Sequence, residues 1–203
     1  MNNPFQSIEF SKSAPTLAAL PPDTGAEVAF AGRSNAGKSS AINTITRQKG
    51  LARTSKTPGR TQAINFFTLS DNQRLVDLPG YGYAKVSQSM KTQWQKTMNQ
   101  YLESRQSLKG LILLTDIRHP LEPGDQQLLN WCIDVGLPVH ILLTKADKLS
   151  RGKAMGVLQK IRAQIGTNPD TSVSLQLFSA LKSQGVEEVT EVITHWLSLS
   201  KQQ

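Results

Sequence analysis

A loop bounded by two glycines, at residues 32–40, limits the possible folds of this chain more than any other stretch. It fits the phosphate-binding pattern G-x-x-x-x-G-K-[ST], with Gly32 and Gly37 as its glycines. An apolar run at residues 28–31 predicts a buried strand before the loop, and residues 38–46 predict a helix after it. In such an arrangement, backbone N–H groups at the helix N-terminus point at an anion. The sequence therefore predicts a site for a phosphorylated ligand.

The polar side chains of this loop have the chemistry that a bound nucleotide needs. We expect Lys38 to reach the β- and γ-phosphates as a candidate catalytic residue, and the Ser39 hydroxyl to bind Mg²⁺. We expect nucleotide contacts from the whole loop, namely Gly32, Arg33, Ser34, Asn35, Ala36, Gly37, Lys38, Ser39 and Ser40.

The composition is that of one globular domain. The chain has 203 residues, of which 38% are hydrophobic and 19% charged. Four prolines among residues 1–24 predict an extended or loosely packed N-terminal lead-in, with a short edge strand near residues 8–10, and residues 25–203 then form the domain.

The charge balance points to an acidic partner. Lys and Arg total 23 against 15 Asp and Glu, which gives a net charge of +8 and favours a partner such as nucleic acid. The single cysteine, Cys132, excludes an intrachain disulfide and suits a reducing compartment. Because we find no signal peptide and no apolar run approaching the ~20 residues of a membrane span, we expect a cytoplasmic protein.

A long basic loop follows the first helix, at residues 47–61. Residues 28–70 contain seven Lys and Arg but no Asp or Glu. A loop of this length without hydrophobic periodicity is typical of a functional segment. Thr61 is a candidate for a second hydroxyl ligand to Mg²⁺, and Thr57 is its rival, since the sequence alone does not decide between them.

A second phosphate-site pattern, D-x-x-G, stands at Asp77, Leu78, Pro79 and Gly80, at the end of a predicted strand. A carboxylate in this position can hold a Mg²⁺-bound water, and the Gly80 N–H can contact the γ-phosphate. Asp-x-Pro-Gly is also ordinary turn chemistry, so the pattern gains its weight from its position after the phosphate loop.

A guanine-recognition pattern, [NT]-K-x-D, follows the predicted strand at residues 139–143 and consists of Thr144, Lys145, Ala146 and Asp147. The Asp147 carboxylate can accept two hydrogen bonds from guanine, while adenine lacks that donor pair and would leave the carboxylate unpaired. The pattern thus disfavours a P-loop kinase or ATPase. After the predicted last strand, backbone N–H groups of Phe178, Ser179 and Ala180 are placed to reach guanine O6.

The remaining pattern alternates strands and helices. Apolar runs predict strands at residues 62–69, 74–76, 111–114, 139–143 and 173–177, and helical periodicity predicts helices after Ser87 and at 125–135, 150–165 and 186–197. Three histidines, at positions 119, 140 and 195, show no metal-ligand spacing and are interpreted as structural or exposed.

In this order, each at the end of a strand, the motifs resemble those of the TrmE-Era-EngA-YihA-Septin group of translation-factor-related GTPases. Within that group they look like the bacterial YihA/EngB (YsxC) family. The resemblance covers about residues 27–196 and rests on residues 32–40, 56–62, 77–84, 116–120 and 144–147.

The resemblance implies an α/β fold, a Ras-like P-loop G domain with a mostly parallel six- or seven-stranded sheet and helices on both faces. It implies Ser39 and Thr61 as metal ligands, together with Asp77, and Thr61 as a further catalytic candidate. The basic loop would then supply nucleotide contacts from Gly59, Arg60, Thr61, Gln62 and Ala63. It also implies a role in large ribosomal subunit assembly and in normal cell division and septation.

The chain departs from Ras-like enzymes after the D-x-x-G pattern. Those enzymes place a Gln there to orient the attacking water, but Tyr81 follows Gly80 here and no Gln or Glu appears before Gln88. We therefore expect slow intrinsic hydrolysis. Relatives with an Asn at the position of Asn35 resemble potassium-activated GTPases, so we treat Asn35 as a catalytic candidate and K⁺ activation as a hypothesis.

The leading interpretation is a monomeric GTP-hydrolysing switch that binds GTP and GDP and the large ribosomal subunit or its rRNA–protein precursor. The alternative is a nucleotide-gated scaffold for cell-division proteins, in which hydrolysis is incidental. A binding face that is apolar rather than basic would favour the scaffold.

Overall fold

The computed structural model describes residues 3–52, 63–82, 88–166 and 172–198. Its strands are β1 (Glu9–Ala14), β2 (Ala26–Gly32), β3 (Ile64–Ser70), β4 (Gln73–Asp77), β5 (Leu108–Asp116), β6 (Val139–Thr144) and β7 (Val173–Leu177). Its helices are α1 (Lys38–Ile45), α2 (Gln88–Ser104), α3 (Pro123–Asp134), α4 (Arg151–Ile165) and α5 (Val186–Trp196).

The strands form one seven-stranded sheet in the order β1-β3-β4-β2-β5-β6-β7. The pairs β4–β2, β2–β5, β5–β6 and β6–β7 are parallel, and the pairs β1–β3 and β3–β4 are antiparallel. The predicted mostly parallel α/β sheet is therefore confirmed. The main difference in length is at β5, which is longer than its apolar run because it continues to Asp116 at the functional edge.

Helices cover both faces of the sheet, and the central strands are therefore buried on both sides. All six residues of β6 are buried, so it reads as a continuous apolar run rather than an alternating one. One hydrophobic cluster joins α2, α3 and α4 to the sheet, and a second cluster joins α1 and α5 to the opposite face. Among the described residues, no helix is both long and apolar enough to cross a lipid bilayer.

The N-terminal lead-in packs against the sheet and α1. Its edge strand, β1, follows the predicted position closely, and the Phe5 and Ile8 side chains before it are fully buried. The Asn3 amide donates to the Ile45 carbonyl oxygen over 2.7 Å, which ties the lead-in to the end of α1. Whether the chain divides at residue 24 remains a prediction.

A buried carboxylate, Glu27, lies at the end of the sheet opposite to the motifs. Glu27, at the start of β2, is fully buried and accepts hydrogen bonds from Arg105 (2.7 and 2.9 Å) and from the Tyr101 hydroxyl (2.9 Å). Arg74 lies 3.3 Å from the same carboxylate. Both guanidinium groups are themselves almost fully buried, and Glu27 is the carboxylate that they share, while Arg105 also lies 3.6 Å from Asp23.

We predict that Glu27→Gln destabilises the fold strongly. Among the described residues, the change leaves the buried Arg74 without a carboxylate and the buried Arg105 with only Asp23, so the free energy of unfolding should fall by about 3–5 kcal/mol. Urea unfolding measures this, with Glu9→Gln on the exposed edge strand as the matched control. A loss no larger than that of the control would contradict the role given to Glu27.

Candidate functional site

The sequence motifs meet at one edge of the sheet. Because β2, β4, β5 and β6 run parallel, their carboxyl ends at Gly32, Asp77, Asp116 and Thr144 lie side by side. In open α/β sheets, ligands bind outside this edge.

The phosphate loop has the backbone conformation of an anion cradle. Gly37 is left-handed, with φ of 93°, and so is Asn35, with φ of 66°. The first backbone hydrogen bond of α1 runs from Ala41 N–H to Gly37 carbonyl, so the N–H groups before it are directed out of the helix N-terminus. A Cβ on Gly32 would lie 2.6 Å from the Leu114 carbonyl oxygen, which explains the glycine that begins the loop. The loop can therefore hold a phosphate group through its backbone.

Among the described residues, the predicted phosphate ligand Lys38 contacts one predicted metal ligand and is next in the chain to another. The Lys38 ammonium forms an ion pair with the buried Asp77 carboxylate, and Ser39, next in the chain, is half-buried. A hydroxyl and a carboxylate are hard oxygen donors of the kind that Mg²⁺ accepts. The donor set thus fits magnesium.

The D-x-x-G segment is anchored to the phosphate loop on one side. Leu78 N–H donates to the Phe30 carbonyl (3.0 Å), and Ser34 N–H donates to the Tyr81 carbonyl (2.8 Å). A Cβ on Gly80 would lie 3.4 Å from Ser34 N, so the two loops approach closely at this glycine. The two loops therefore form a single surface toward a phosphate.

On its other side the segment is anchored to α3 through Tyr81. The buried Tyr81 hydroxyl donates to Asp125 Oδ1 (2.6 Å), and the Thr115 hydroxyl donates to Asp125 Oδ2 (3.0 Å). Burial, together with the neighbouring Asp125, raises the pKa of Tyr81 well above its usual value. Burial also raises the pKa of Asp125, outweighing the hydrogen bonds that lower it. The phenol therefore points into the protein and stays protonated.

Two residues of the guanine-recognition pattern form hydrogen bonds to the phosphate loop. The buried Thr144 hydroxyl lies 2.7 Å from the Ala36 carbonyl oxygen and 3.1 Å from that of Thr115. The Lys145 ammonium donates to the Asn35 carbonyl (2.7 Å) and lies 3.0 Å from the Asp116 carboxylate. The predicted base and phosphate sites therefore belong to one connected structure.

The Asp147 carboxylate is held ready as an acceptor. The fully buried Ser179 hydroxyl donates to Asp147 Oδ1 over 2.5 Å, and this hydrogen bond lowers the pKa of Asp147 below its usual value. The Ala146 N–H donates to the Phe178 carbonyl (3.1 Å), which docks the two loops on each other. Asp147 is therefore ionised at neutral pH and can accept hydrogen bonds from a base.

The structure reduces the number of backbone N–H groups that can contact guanine O6. The Phe178 N–H donates to the Leu143 carbonyl (2.9 Å) and the Ser179 N–H to the Gln184 carbonyl (3.1 Å), so both are already paired within the fold. Among the three N–H groups predicted, only that of Ala180 has no protein acceptor within the described part of the chain. The role of Ser179 is therefore better explained by its hydroxyl, which orients Asp147.

A cavity of about 510 Å³ opens between the phosphate loop and these base-recognition residues. It brings together predicted residues from all three segments, namely Gly37, Ser40, Thr144, Lys145, Asp147, Phe178 and Ala180. Sequence reasoning missed six further lining residues, Asn43, Thr44, Lys49, Gly50, Lys148 and Leu181. Leu181 is 73% exposed at the rim, although an isolated leucine after a strand gives no sequence signal for such a position.

Known proteins resemble this chain in sequence and in fold. Residues 27–145 match the family model described as 50S ribosome-binding GTPase. The chain is 56% identical to a probable GTP-binding protein EngB from Idiomarina loihiensis, over 96% of this chain and 94% of the relative, and 55% identical to one from Shigella flexneri, over 96% and 92%. A crystal structure of a probable GTP-binding protein engB superposes with a TM-score of 0.67 at 19% identity, covering 86% of this chain and all of that one.

The chain belongs to the EngB family of GTP-binding proteins. This confirms the resemblance found in the sequence and makes the protein a GTPase that binds guanine nucleotides. The cavity beside Asp147 and the cradle at α1 are the parts of this EngB protein that fit a base and its phosphates.

A polar chain behind the base loop was not predicted from the sequence. The Gln176 amide nitrogen lies 2.8 Å from the Gly185 carbonyl oxygen, so its Oε1 faces His140 Nε2 (2.7 Å) and must accept a hydrogen bond from the Nε2–H group. His140 Nδ1 then accepts from the Ser174 hydroxyl (2.7 Å). Burial lowers the pKa of His140, which keeps the ring neutral. These hydrogen bonds hold Gly185 in place, and its neighbour Gln184 forms a backbone pair with Ser179.

Part of the predicted site lies outside the described residues. This applies to Gly59, Arg60, Thr61 and Gln62, and to Thr57 as the rival metal ligand. Ala63 is described and lies just before β3, half-buried.

We predict that Thr144→Val weakens nucleotide binding in this EngB protein. The isosteric change leaves two buried carbonyl oxygens without their shared donor, which should cost roughly 1–3 kcal/mol, or about 5- to 150-fold in GDP affinity. Calorimetric titration with GDP measures it.

The control is Thr194→Val on α5, where the hydroxyl bonds within its own helix to Thr190. Equal GDP affinity for the two valine variants would show that the Thr144 bridge does not hold the site.

Proposed function

We propose that this protein is a monomeric cytoplasmic GTPase switch in large ribosomal subunit assembly, and that through this role it is needed for normal cell division and septation. The observation that carries the proposal is the grip of Thr144 and Lys145 on the phosphate loop, since it joins guanine recognition to the phosphates in one site. The ribosomal partner is supported by the matched family's description as a 50S ribosome-binding GTPase and by the net charge of +8.

In this proposal each site residue acts on the triphosphate or its metal. Lys38 leaves the Asp77 carboxylate for the β- and γ-phosphates, and the Gly80 N–H contacts the γ-phosphate, which distinguishes GTP from GDP. Ser39, Asp77 and Thr61, or Thr57 in its place, hold Mg²⁺. The bound ion supplies charge neutralisation at the phosphate oxygens.

The guanine assignment predicts the behaviour of Asp147→Asn. The amide replaces one acceptor by a donor, so the variant should lose GTP affinity and prefer xanthine nucleotides, whose C2 oxygen accepts a hydrogen bond. Competition of GTP and xanthosine triphosphate for a fluorescent analogue measures this change.

The matched control is Asp134→Asn, an exposed carboxylate at the end of α3. Full preference for GTP in Asp147→Asn would show that the base lies elsewhere.

We expect slow intrinsic hydrolysis because the residue after Gly80 is a tyrosine. The Tyr81 hydroxyl donates to the buried Asp125, so this side chain cannot orient an attacking water as a glutamine does. We propose that K⁺ held near Asn35 raises the rate instead. Asn35 is exposed, and its left-handed backbone places it at the outer turn of the phosphate loop.

We predict that single-turnover GTP hydrolysis is faster in K⁺ than in Na⁺ buffer, and that Asn35→Ala removes this difference while the variant still binds GDP. Rates measured in both buffers, with and without large ribosomal subunits, test the prediction. Equal rates in K⁺ and Na⁺ under all these conditions would rule out the ion.

The assembly role predicts nucleotide-dependent binding to the ribosome. Purified large subunits should co-sediment the protein more tightly with a non-hydrolysable GTP analogue than with GDP or no nucleotide, and binding should weaken as salt is raised. Equal binding in all three states, or none, would contradict the switch and favour the division-scaffold alternative.

A further inference from the structure

Helix α4 carries a concentrated positive charge on the protein surface. Its four cations, Arg151, Lys153, Lys160 and Arg162, are all exposed. Lys148 precedes them, and residues 148–166 contain no Asp or Glu. The helix is therefore basic along its whole length, about 22 Å at 1.5 Å per residue.

The cations point to solvent because the opposite side of the helix is fixed in the core. Ala154, Leu158 and Ile161 are buried against the sheet. Lys153 and Lys160 are seven residues apart, or about two turns, and Arg151 and Arg162 are eleven apart, or about three turns, so each pair forms a ridge. Among the described residues, no carboxylate lies within ion-pair distance of any of the four.

Helix α5, on the opposite face of the sheet, carries the opposite charge. Helix α5 exposes Glu187, Glu188 and Glu191, and residues 183–198 contain no Lys or Arg. Because α4 packs in one hydrophobic cluster and α5 in the other, the two charges lie on opposite faces of the sheet. Between these two helices, a polyanion is therefore attracted to α4 and repelled by α5.

We propose that the exposed face of α4 is a docking surface for the phosphate backbone of RNA. This inference rests on the proposed function and assigns its ribosomal contact to one surface. Two ridges of Lys and Arg, without a carboxylate partner among the described residues, match a line of phosphates in charge. Insertion of an amphipathic helix into a lipid surface would use large apolar groups, and within described α4 Met155 is the only large hydrophobic residue that is exposed.

The contact lies beside the base cavity rather than at the γ-phosphate, because Lys148, which lines the cavity, is three residues before α4. The α4 surface therefore contributes the same attraction in every nucleotide state. The dependence on GTP comes from elsewhere in the protein.

Two exposed glycines allow a clean test. Gly152 and Gly156 lie between the ridges, and a Cβ on either would meet nothing within 4 Å. Glu and Gln are both better helix formers than Gly, so G152E/G156E and G152Q/G156Q should both fold with an unchanged or higher Tm. Only the glutamates place negative charge among the four cations.

Co-sedimentation with purified large ribosomal subunits over a salt series is the measurement, with GDP and with a non-hydrolysable GTP analogue. We expect G152E/G156E to bind at least tenfold more weakly than G152Q/G156Q in both nucleotide states, while GDP affinity is equal in the two. The slope of log affinity against log salt should fall by about two, one for each cation neutralised. A third variant, K12Q/K109Q, removes the same two units of net charge from exposed positions outside α4 and should bind like the wild type.

Equal binding of the glutamate and glutamine variants would overturn the α4 assignment while leaving the proposed function intact, provided that the wild-type chain binds. An equal loss in K12Q/K109Q would also overturn it, because net charge rather than α4 would then be responsible. A loss in the glutamate variant with no change in salt slope would indicate a protein contact and contradict RNA binding. If the wild-type chain does not co-sediment in any state, the proposed function fails and the α4 inference fails with it.

Discussion

The arrangement of the site depends on the contacts of the Thr144 hydroxyl. This hydroxyl lies between the carbonyl oxygens of Ala36 in the phosphate loop and Thr115 at the end of β5, and all three groups are buried. Lys145 adds a second link to Asn35. These contacts set where a base can lie relative to its phosphates, because they fix the two binding segments to each other and to the sheet. Asp147, two residues after Lys145, can then bind the base at a fixed position relative to the phosphate loop.

The sheet supplies the common edge that makes this bridge possible. Parallel pairing of β2 with β5 and of β5 with β6 brings three motif-bearing strand ends together. Far from that edge, the Glu27 network anchors the start of β2 against Arg74 and Arg105. The buried charged groups of the sheet thus lie near the ends of the strands, the His140–Gln176 pair lies within β6 and β7, and the apolar side chains between form the two hydrophobic clusters.

The sequence was sufficient to predict the strands, the sheet class and the three nucleotide motifs, because glycine loops, apolar runs and short fixed spacings are local signals. It did not predict which buried polar groups would meet. Asp125 lies 44 positions from Tyr81, and Gln176 lies 36 from His140, so nothing local marks these pairs. The prediction for guanine O6 was too broad for the same reason, since the carbonyl groups that occupy the Phe178 and Ser179 N–H groups come from distant or folded-back segments. Gly59, Arg60, Thr61 and Gln62 remain predictions, because they lie outside the described residues.

The central claim is that Asp147, oriented by Ser179 and tied through Thr144 to the phosphate loop, selects guanine. Calorimetric titration of the protein with GDP, inosine diphosphate and ADP tests it most directly, since inosine lacks only the 2-amino donor of guanine and adenine lacks both donors. We expect an intermediate affinity for inosine diphosphate, and an affinity for ADP at least about 10³-fold below that for GDP, because the carboxylate would be left unpaired. Binding of ADP within about tenfold of GDP, or equal binding of GDP and inosine diphosphate, would contradict the account.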